Sequence, residues 1–263
     1  MMKPIKNFPR EKSAAITYLL TDIDDTITNE GKIPACAFQA MEDLDKAGIK
    51  VIPITGRPAG WCDHIARMWP VKAVVGENGA FYFVYDDHKK KMIRRYFKTA
   101  QERRQDKKKL EVIKQEILKS IPGCVVSADQ PYREADLAID FAEDVPPLSQ
   151  EKIDRIVTLF EQNGATAKVS SIHVNGWFGS YDKLSMTKIL FREVLKTDLD
   201  SIKKNIIFIG DSPNDEPMFE YFPNAVGVAN VLEFKDRLSF KPAWITEGKG
   251  GIGFAQMAEI LIP

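Results

Sequence analysis

Cysteine is scarce in this 263-residue sequence, and its scarcity excludes several classes of protein. The three cysteines, Cys36, Cys62 and Cys124, are isolated along the chain. Their odd number and wide spacing exclude a disulfide-stapled scaffold, a cysteine-based zinc site and a redox pair. We therefore expect reduced thiols in a cytoplasmic protein.

Excess charge and long apolar runs are also lacking. The 37 basic and 37 acidic residues give a formal net charge of zero, so overall charge favours neither nucleic acid nor an anionic membrane as a partner. No apolar run approaches the roughly 20 residues of a membrane helix, and the N-terminal segment lacks the apolar core of a signal peptide. With 44% apolar and 28% charged residues, the composition is that of an ordinary globular protein.

The sequence pattern at both ends of the chain predicts a parallel sheet. The first part reads strand–helix–strand–helix–strand, with elements at 16–21, 34–47, 49–55, 59–69 and 71–76. These strands are apolar throughout rather than at alternate positions, which is typical of a parallel sheet covered on both faces. The same pattern returns after residue 180, with a helix at 184–197 and strands at 205–210 and 224–230.

The pattern of the middle segment is different. An Asn-Gly turn signal, an aromatic strand and MIRRYFK (92–98) predict antiparallel pairing. A helix at about 100–120 follows, then short strands and a helix capped by Ser149. We predict an α/β fold, in which a Rossmann-like parallel-sheet core, residues 1–83 and 180–263, carries an inserted α+β cap, residues 84–179.

Three aspartates crowd the stretch LLTDIDDTITNEG (19–31), directly after a buried strand. Asp22 and Asp24 are two residues apart, so on an extended segment their carboxylates point the same way. Ligands bind at the carboxyl ends of strands in open α/β sheets, and Mg²⁺ prefers oxygen ligands. A calcium loop does not fit, because Ile27 and Ile33 stand where its glycine and glutamate belong. A polar turn with a helix cap stays an alternative for this stretch taken alone.

Two other strand ends carry matching groups. GDSPND (210–215) places Asp211 at the mouth of a strand and Asp215 one helical turn later, although an acidic helix N-terminus would also explain Asp215. PITGRP (53–58) offers the Thr55 hydroxyl and nearby backbone N–H groups to an anion, although a Thr-Gly pair is also common turn material. A phosphate dianion beside carboxylates needs a cation, for which Lys183 is the best candidate and Lys188 the alternative.

Because parallel strands end at one edge of a sheet, we expect these groups to converge in one shallow depression. The hypothesis also requires that no arginine or other fixed cation already fills that depression.

Taken in order, DIDDT (22–26), ITGR with Thr55, Lys183 and GDSPND (210–215) resemble the four motifs of the haloacid dehalogenase superfamily of phosphotransferases. GENGA (76–80) and the C-terminal AVGVAN…ITEGKGGIGFAQM are similar to its branch with a large α/β cap, which includes Cof-type and sucrose- or trehalose-phosphate phosphatases. Two departures stand out: Asp25 replaces a usual glycine, and Leu184 follows the lysine where glycine is common.

The resemblance implies a role for each motif residue. Asp22 is the nucleophile that forms an aspartyl-phosphate, and Asp24 is the general acid and then the base. Mg²⁺ is held by Asp22, the backbone carbonyl of Asp24, Asp211 and Asp215. The substrate phosphate is bound by Thr55, Gly56, Lys183 and Asn214. Asp24 favours hydrolysis, because the same carboxylate can later deprotonate the attacking water.

The sequence and the resemblance thus predict a Mg²⁺-dependent phosphatase of a small phosphorylated metabolite, with sugar phosphates as the expected class and no nucleic-acid, membrane or obligate protein partner. Specificity residues in the cap are predicted at Tyr132, Arg133 and Glu134. One alternative is a phosphomannomutase-like enzyme, because HVNGWFGSYDK (173–183) resembles the corresponding stretch of those proteins. Another is a non-enzymatic phospholigand or nucleic-acid adaptor that uses the basic segment 88–109, which reads more simply as a solvated cap surface.

Overall fold

The computed structural model describes residues 2–262. Within them the chain forms thirteen strands: β1 Lys3–Pro4, β2 Tyr18–Thr21, β3 Lys50–Pro53, β4 Val74–Gly76, β5 Phe81–Asp86, β6 Lys91–Tyr96, β7 Val125–Val126, β8 Leu137–Asp140, β9 Thr166–Val169, β10 His173–Trp177, β11 Ile206–Gly210, β12 Ala225–Gly227 and β13 Trp244–Ile245. The same residues form nine α-helices: α1 Arg10–Ser13, α2 Ala35–Lys46, α3 Ala59–Met68, α4 Ala100–Ser120, α5 Gln150–Gln162, α6 Lys183–Glu193, α7 Leu199–Ile202, α8 Glu216–Tyr221 and α9 Gly250–Leu261. None of these helices combines the length and apolar character that crossing a bilayer requires.

Six strands form the predicted parallel sheet, in the order β1-β13-β12-β11-β2-β3. Every neighbouring pair in it is parallel. Strands β11, β2 and β3 lie side by side, although β11 is distant from the other two in sequence. The prediction of a Rossmann-like core is confirmed, and the carboxyl ends of these three strands meet at one edge of the sheet.

Both faces of this sheet are buried, which explains why its strands are apolar at every position. Successive residues of one strand enter different clusters: Leu19 packs with α2 and α9 on one face, and Leu20 packs with α6 and α8 on the other. Ile207 and Phe208 divide in the same way on β11. Each residue of these strands therefore loses its apolar surface to one helical layer or the other.

The predicted hairpin extends the edge of the parallel sheet. Strands β5 and β6 pair antiparallel over six residues, and β5 pairs antiparallel with β4. Strand β4 meets the chain just after β3 through a single parallel bridge between Ile54 and Val75. Val84, where the predicted cap begins, lies inside β5, and the division into core and cap at 83/84 and 179/180 stays a prediction.

A second sheet, β7-β8-β10-β9, is antiparallel throughout. Helices α4 and α5 cover it and supply Ile113, Ile117, Ile156 and Phe160 to an apolar cluster separate from those of the parallel sheet. This α+β unit follows the hairpin in sequence and ends just before α6. The described structure thus combines a parallel-sheet core with an antiparallel second unit, as the sequence predicted.

Several elements differ from the sequence prediction. The sequence pattern did not predict β1, β13 or α9. The two strands have two residues each, too few to show a pattern, and three glycines lower the helix propensity of α9. The cap at Ser149 was predicted from residue type, but its side chain makes no capping hydrogen bond. The backbone carbonyl of Ser149 instead accepts hydrogen bonds from Lys152 and Ile153.

Candidate active site

The edge formed by β11, β2 and β3 carries the predicted site residues. Asp22 directly follows β2, and its backbone N–H donates to the carbonyl of Ile209 on β11, 2.9 Å away. Asp211 directly follows β11, and Thr55 lies two residues beyond β3. The sheet order, rather than the sequence spacing, therefore brings residues 22 and 211 together.

Three carboxylates and one ammonium group form a buried cluster at this edge. Carboxylate oxygens of Asp22, Asp211 and Asp215 lie within 4.8 Å of one another. None of these three residues is more than 4% exposed. Lys183 Nζ donates to Asp22 Oδ1 at 2.9 Å and to Asp215 Oδ1 at 2.7 Å. With all four groups ionised, the cluster has two negative charges in excess.

Asp211 carries the clearest sign of a missing cationic partner. The hydroxyl of Thr26 donates to its Oδ1 at 3.1 Å. Its Oδ2 is buried, and no hydrogen-bond donor in residues 2–262 reaches it. A buried carboxylate oxygen without a partner is costly, whereas a hard cation such as Mg²⁺ would satisfy it. The oxygen donors and the excess of two negative charges both fit a single divalent ion.

The electrostatics of the cluster follow from burial. Burial raises the pKa of Asp22 to about 7, with Lys183 opposing the shift and Asp215 adding to it. Burial, and then the charge of Asp22, also raises the pKa of Asp211 well above its usual range. The pKa of Lys183 is raised, because the charges of Asp215 and Asp22 outweigh the effect of burial, which alone would lower it.

Gly210 makes room for the carboxylate of Asp215. A Cβ atom at position 210 would lie 2.3 Å from Asp215 Oδ2. The same Oδ2 accepts hydrogen bonds from the backbone N–H groups of Asp211 at 3.1 Å and Ser212 at 3.4 Å. Glycine is thus required here by a close approach that fixes Asp215 for its contact with Lys183.

Lys183 is placed by the start of α6. The Asp182 side chain accepts a hydrogen bond from the backbone N–H of Ser185 at 2.7 Å and caps the helix. Gly79 packs against this start with φ +104°, and a Cβ atom there would lie 2.0 Å from the Asp182 carbonyl. The alternative lysine, Lys188, is elsewhere, in an exposed ion pair with Asp200 at 3.2 Å.

Two of the four predicted phosphate-binding residues line a very small space. Gly56 and Asn214 line it together with Asp22, and it measures about 10 Å³, room for about one water molecule. Thr55 is fully buried, and its hydroxyl accepts a hydrogen bond from the backbone N–H of Arg57 at 3.0 Å. Asn214 is fixed by a hydrogen bond from the Ser212 hydroxyl to its Oδ1 at 2.9 Å.

A fixed arginine does reach this site, beside Asp24. Arg57 Nε donates to both Asp24 oxygens at 2.9 Å, and Nη2 donates to Oδ1 at 2.7 Å. Within residues 2–262, no arginine forms an ion pair with Asp22, Asp211 or Asp215. The expectation of an arginine-free depression is therefore wrong, because Arg57 and Arg133 both line the space beside Asp22, although neither pairs with the carboxylate trio. Arg57 lies in the PITGRP motif, but the sequence pattern alone predicted no role for it.

Arg57 also joins the core to the antiparallel unit. Its Nη2 donates to Glu143 Oε1 at 2.6 Å, and its Nη1 lies 3.4 Å from Asp129 Oδ2. His173 Nε2 lies 2.9 Å from the other oxygen of Glu143. Although burial opposes it, contact with His173 and Arg57 lowers the pKa of Glu143 to about 2. Ion pairs thus link Asp24 to the second unit through a single guanidinium.

The three cap residues predicted for specificity have different positions. Arg133 lines the small space beside Asp22, and its buried guanidinium contacts Asp129 and Asp136. Tyr132 is 59% exposed and packs over Gly60. The Glu134 side chain faces solvent near Arg103, 3.8 Å away. The remaining cap residues that line the space are Ser170, Ile172, His173 and Asn175.

Glu77 ties the core to the loop that carries Arg133. It is fully buried, and its carboxylate accepts hydrogen bonds from four backbone N–H groups: those of Ala59 (3.0 Å), Glu134 (2.9 Å), Ala135 (2.6 Å) and Asp136 (3.2 Å). The residue lies in the GENGA motif, which resembles the family but predicted no role for Glu77. A glutamate next to an Asn-Gly turn gives no sequence signal for such a contact.

Asp25, the residue that departs from the family motif, has φ +55°, in the left-handed region that favours glycine. Its backbone N–H donates to the Thr28 hydroxyl at 2.8 Å. Aspartate tolerates this conformation better than most residues. The backbone conformation therefore explains both the family's usual glycine and its replacement by aspartate here.

Comparison with known proteins agrees with this architecture. A family model for haloacid dehalogenase-like hydrolases matches residues 19–142. No curated protein sequence gives a significant match.

Among solved structures, protein 0175 of Thermoplasma acidophilum is 19% identical, with 94% of this chain and 98% of that chain covered and a TM-score of 0.70. A putative HAD/COF-like hydrolase from Plasmodium vivax is 16% identical, with 96% and 99% covered and a TM-score of 0.66. The sucrose-phosphatase of Synechocystis sp. PCC6803, solved with sucrose and phosphate, is 15% identical, with 93% and 97% covered and a TM-score of 0.62. At these identities the similarity establishes a shared fold. Residues 19–142 are thus similar to haloacid dehalogenase-like hydrolases, and more than nine-tenths of the chain shares its fold with these solved structures.

Proposed function

We propose that this protein is a haloacid dehalogenase-like hydrolase and a Mg²⁺-dependent phosphatase that cleaves small phosphomonoesters through an aspartyl-phosphate. The observation that carries the proposal is the contact of Lys183 with both Asp22 and Asp215, beside an Asp211 oxygen that lacks a donor. Phosphoryl transfer depends mainly on positioning and on neutralisation of negative charge, and this cluster combines a carboxylate nucleophile with groups suited to both.

The metal would be held by Asp22 and Asp211, with Asp215 in support and the backbone carbonyl of Asp24 as a further ligand. Bound there, Mg²⁺ would supply positive charge to the phosphoryl oxygens and to the carboxylates. Asp215 is already anchored by two backbone N–H groups and Lys183, which suits a supporting ligand whose position does not change.

In the proposed reaction, a carboxylate oxygen of Asp22 attacks phosphorus, and the bond from phosphorus to the leaving-group oxygen breaks. Lys183 and the loop at Thr55 and Gly56 bind the phosphoryl oxygens. Asp24 gives a proton to the departing oxygen and takes one from the water that then attacks the aspartyl-phosphate. Because Arg57 contacts both Asp24 oxygens, proton transfer requires this ion pair to rearrange.

The antiparallel unit, within residues 84–179, would act as a cap that closes over the site. The space beside Asp22 is too small for a phosphoryl group, so substrate entry requires the two units to separate. The Arg57–Glu143 pair and the hydrogen bond from Arg133 to the Gly56 carbonyl, at 2.9 Å, are contacts that this opening would break. Closure would exclude water during transfer.

A sugar phosphate is the proposed substrate class. The support is the shared fold with the Synechocystis sucrose-phosphatase and with BT4131, which is described as a subclass IIB sugar phosphatase and is 14% identical with a TM-score of 0.57. The mutase and adaptor alternatives gain no support from these comparisons. A cytoplasmic location stays a prediction from the unpaired thiols.

Phosphate release from a panel of phosphomonoesters, with and without Mg²⁺, tests the proposal. We expect release that depends on the metal and is lost in Asp22→Asn. Lys188→Met serves as a matched control for Lys183→Met, because Lys188 lies in the same helix and pairs at the surface. Absence of release from every ester in the presence of Mg²⁺ would overturn the proposed function.

A further inference from the structure

A cavity of about 450 Å³ opens beside the small space at Asp22. The cavity and the small space share Asp24, Arg57 and Ile172 as lining residues, so they are contiguous. A phosphoryl group bound at Asp22 would therefore direct its leaving group past Asp24 into this cavity. The composition of the cavity then bears on which leaving groups the site accepts.

Carboxylates dominate the charged lining of this cavity. Asp24, Asp25, Glu30 and Glu143 line it, and Arg57 is the basic residue among those identified at its wall. They come from both units, because residues 24–30 follow β2 and Glu143 follows β8. The cavity therefore combines an excess of negative charge with a position next to the proposed general acid.

The positive charge of Arg57 is already used within the protein. Its Nε and Nη2 donate to Asp24, and its Nη1 and Nη2 donate to Glu143. The Trp61 ring covers one face of the guanidinium, with its centroid 4.4 Å from the Arg57 Cζ atom. A second anion entering the cavity would have to displace one of these carboxylates from Arg57.

Arg133, the other guanidinium at the junction of the two units, is also fully engaged. Its side chain is 0% exposed and forms ion pairs with Asp129 at 2.7 Å and Asp136 at 3.0 Å. Its Nη1 also donates to the Gly56 carbonyl. The N–H groups of Arg57 all have acceptors, and the guanidinium of Arg133 is 0% exposed, so neither arginine is available to a second phosphate or carboxylate on the substrate.

We propose that this site selects phosphomonoesters whose leaving group is neutral or carries an amine, and that it rejects leaving groups bearing a second phosphate or a carboxylate. The inference rests on the proposed function and narrows its substrate class. Glu143 is the main specificity-determining residue, because it occupies Arg57 and adds its own charge to the cavity. Repulsion of a like charge in a partly buried site provides the selectivity.

Three matched phosphonates test the inference without turnover: 3-aminopropylphosphonate, 3-hydroxypropylphosphonate and 2-carboxyethylphosphonate. Their affinities are measured by isothermal titration calorimetry in the presence of Mg²⁺. We expect the amine and the alcohol to bind at least about tenfold more tightly than the carboxylate. Equal or tighter binding of the carboxylate would overturn the inference, as would failure of all three compounds to bind.

Three variants identify the source of the selectivity. Glu143→Gln removes one negative charge and leaves Arg57 with unused donors, so we expect the discrimination against the carboxylate to shrink by at least about threefold. Glu30→Gln, at an exposed position of the cavity wall, should shrink it less, and Glu11→Gln, on α1 outside the cavity, should leave it unchanged. Identical ratios in all three variants would contradict the assignment to Glu143.

Phosphate release separates this inference from the function on which it rests. If esters are hydrolysed but those with amine and carboxylate leaving groups are cleaved with equal kcat/KM, the proposed function stands and the selectivity is wrong. If no ester is hydrolysed while the phosphonates bind with the expected preference, the charge selectivity stands and the phosphatase assignment is wrong.

Discussion

Arg57 holds Asp24 by three hydrogen bonds of 2.7–2.9 Å, and the same guanidinium contacts Glu143 of the antiparallel unit. The proposed general acid is therefore linked directly to the part of the protein that would open for substrate. A single side chain connects the two, so closure of the antiparallel unit and the position of Asp24 are expected to change together.

Arg57→Ala tests the strength of this connection. The substitution leaves the Asp24 and Glu143 carboxylates without their cation in a largely buried place, so we expect the free energy of unfolding to fall by about 2–4 kcal/mol. Urea unfolding provides the measurement. Arg67→Ala, which removes an exposed ion pair with Asp63, is the matched control and should lower the free energy of unfolding much less. Equal losses in the two variants would contradict a structural role for Arg57 at the junction.

Asp22→Asn should raise the stability of the metal-free protein while it abolishes phosphate release. The folded-state pKa of Asp22 is about 7, against an ordinary value of 3.8, so folding disfavours the ionised form. The contribution of Asp22 to the free energy of unfolding of the wild type therefore falls as pH rises from about 4 to 7. At pH 8 we expect the variant to be more stable by an amount on the order of 2–4 kcal/mol.

Thermal or urea unfolding in the presence of a chelator at pH 5 and pH 8 checks this sign. The advantage of Asp22→Asn should shrink toward pH 5, where the wild-type carboxyl is protonated in the folded protein. If Asp22→Asn is less stable than the wild type at pH 8, the ionised Asp22 carboxylate does not destabilise the folded protein.

Asp211→Asn should weaken the proposed Mg²⁺ binding, because Asp211 Oδ2 is a buried carboxylate oxygen that no hydrogen-bond donor in residues 2–262 reaches. A ligand stabilises the folded state according to its concentration relative to its dissociation constant. We expect the Mg²⁺-dependent rise in melting temperature of the wild type to be largely lost in this variant. Asp87→Asn, in the exposed turn after β5, should keep it; a full rise in Asp211→Asn would contradict the assigned metal site.

Glu77→Ala should be among the most destabilising single substitutions in the protein. It would leave four backbone N–H groups, from Ala59 and residues 134–136, without their acceptor in a buried place. We expect a loss of about 3–5 kcal/mol in the free energy of unfolding. Glu134→Ala alters the exposed neighbour and should cost less than about 1 kcal/mol, so comparable losses would contradict the role of Glu77.

Asp25→Gly should be tolerated, although position 25 directly follows Asp24, a proposed catalytic residue. Glycine adopts φ +55° without strain, whereas its greater freedom in the unfolded chain opposes folding. We expect a change within about 1 kcal/mol in the free energy of unfolding. Asp25→Val is the informative contrast, because a β-branched residue in this conformation is strained. A variant with valine as stable as the one with glycine would contradict the left-handed backbone at this position.

Sequence patterns predicted most of the fold because the positions of apolar residues indicate which parts of each element are buried. A strand such as 206–210, apolar at every position, can only be buried on both faces, and α4 begins and ends where its pattern of polar and apolar residues does. Helix α9 and the two-residue strands β1 and β13 show no such pattern in the sequence. Their existence depends on partners from distant parts of the chain.

The sequence by itself determined the chemistry at the strand ends: the aspartates at 22 and 211, the lysine at 183 and the parallel sheet that would bring them to one edge. Only the tertiary structure decided the partners of each charge, because Arg57, Glu77 and Glu143 act through contacts with residues 18 to 86 positions away. A carboxylate or guanidinium looks the same in sequence whether it faces water or a buried ion pair. Its role is set by distance and desolvation, which depend on how the two units pack together.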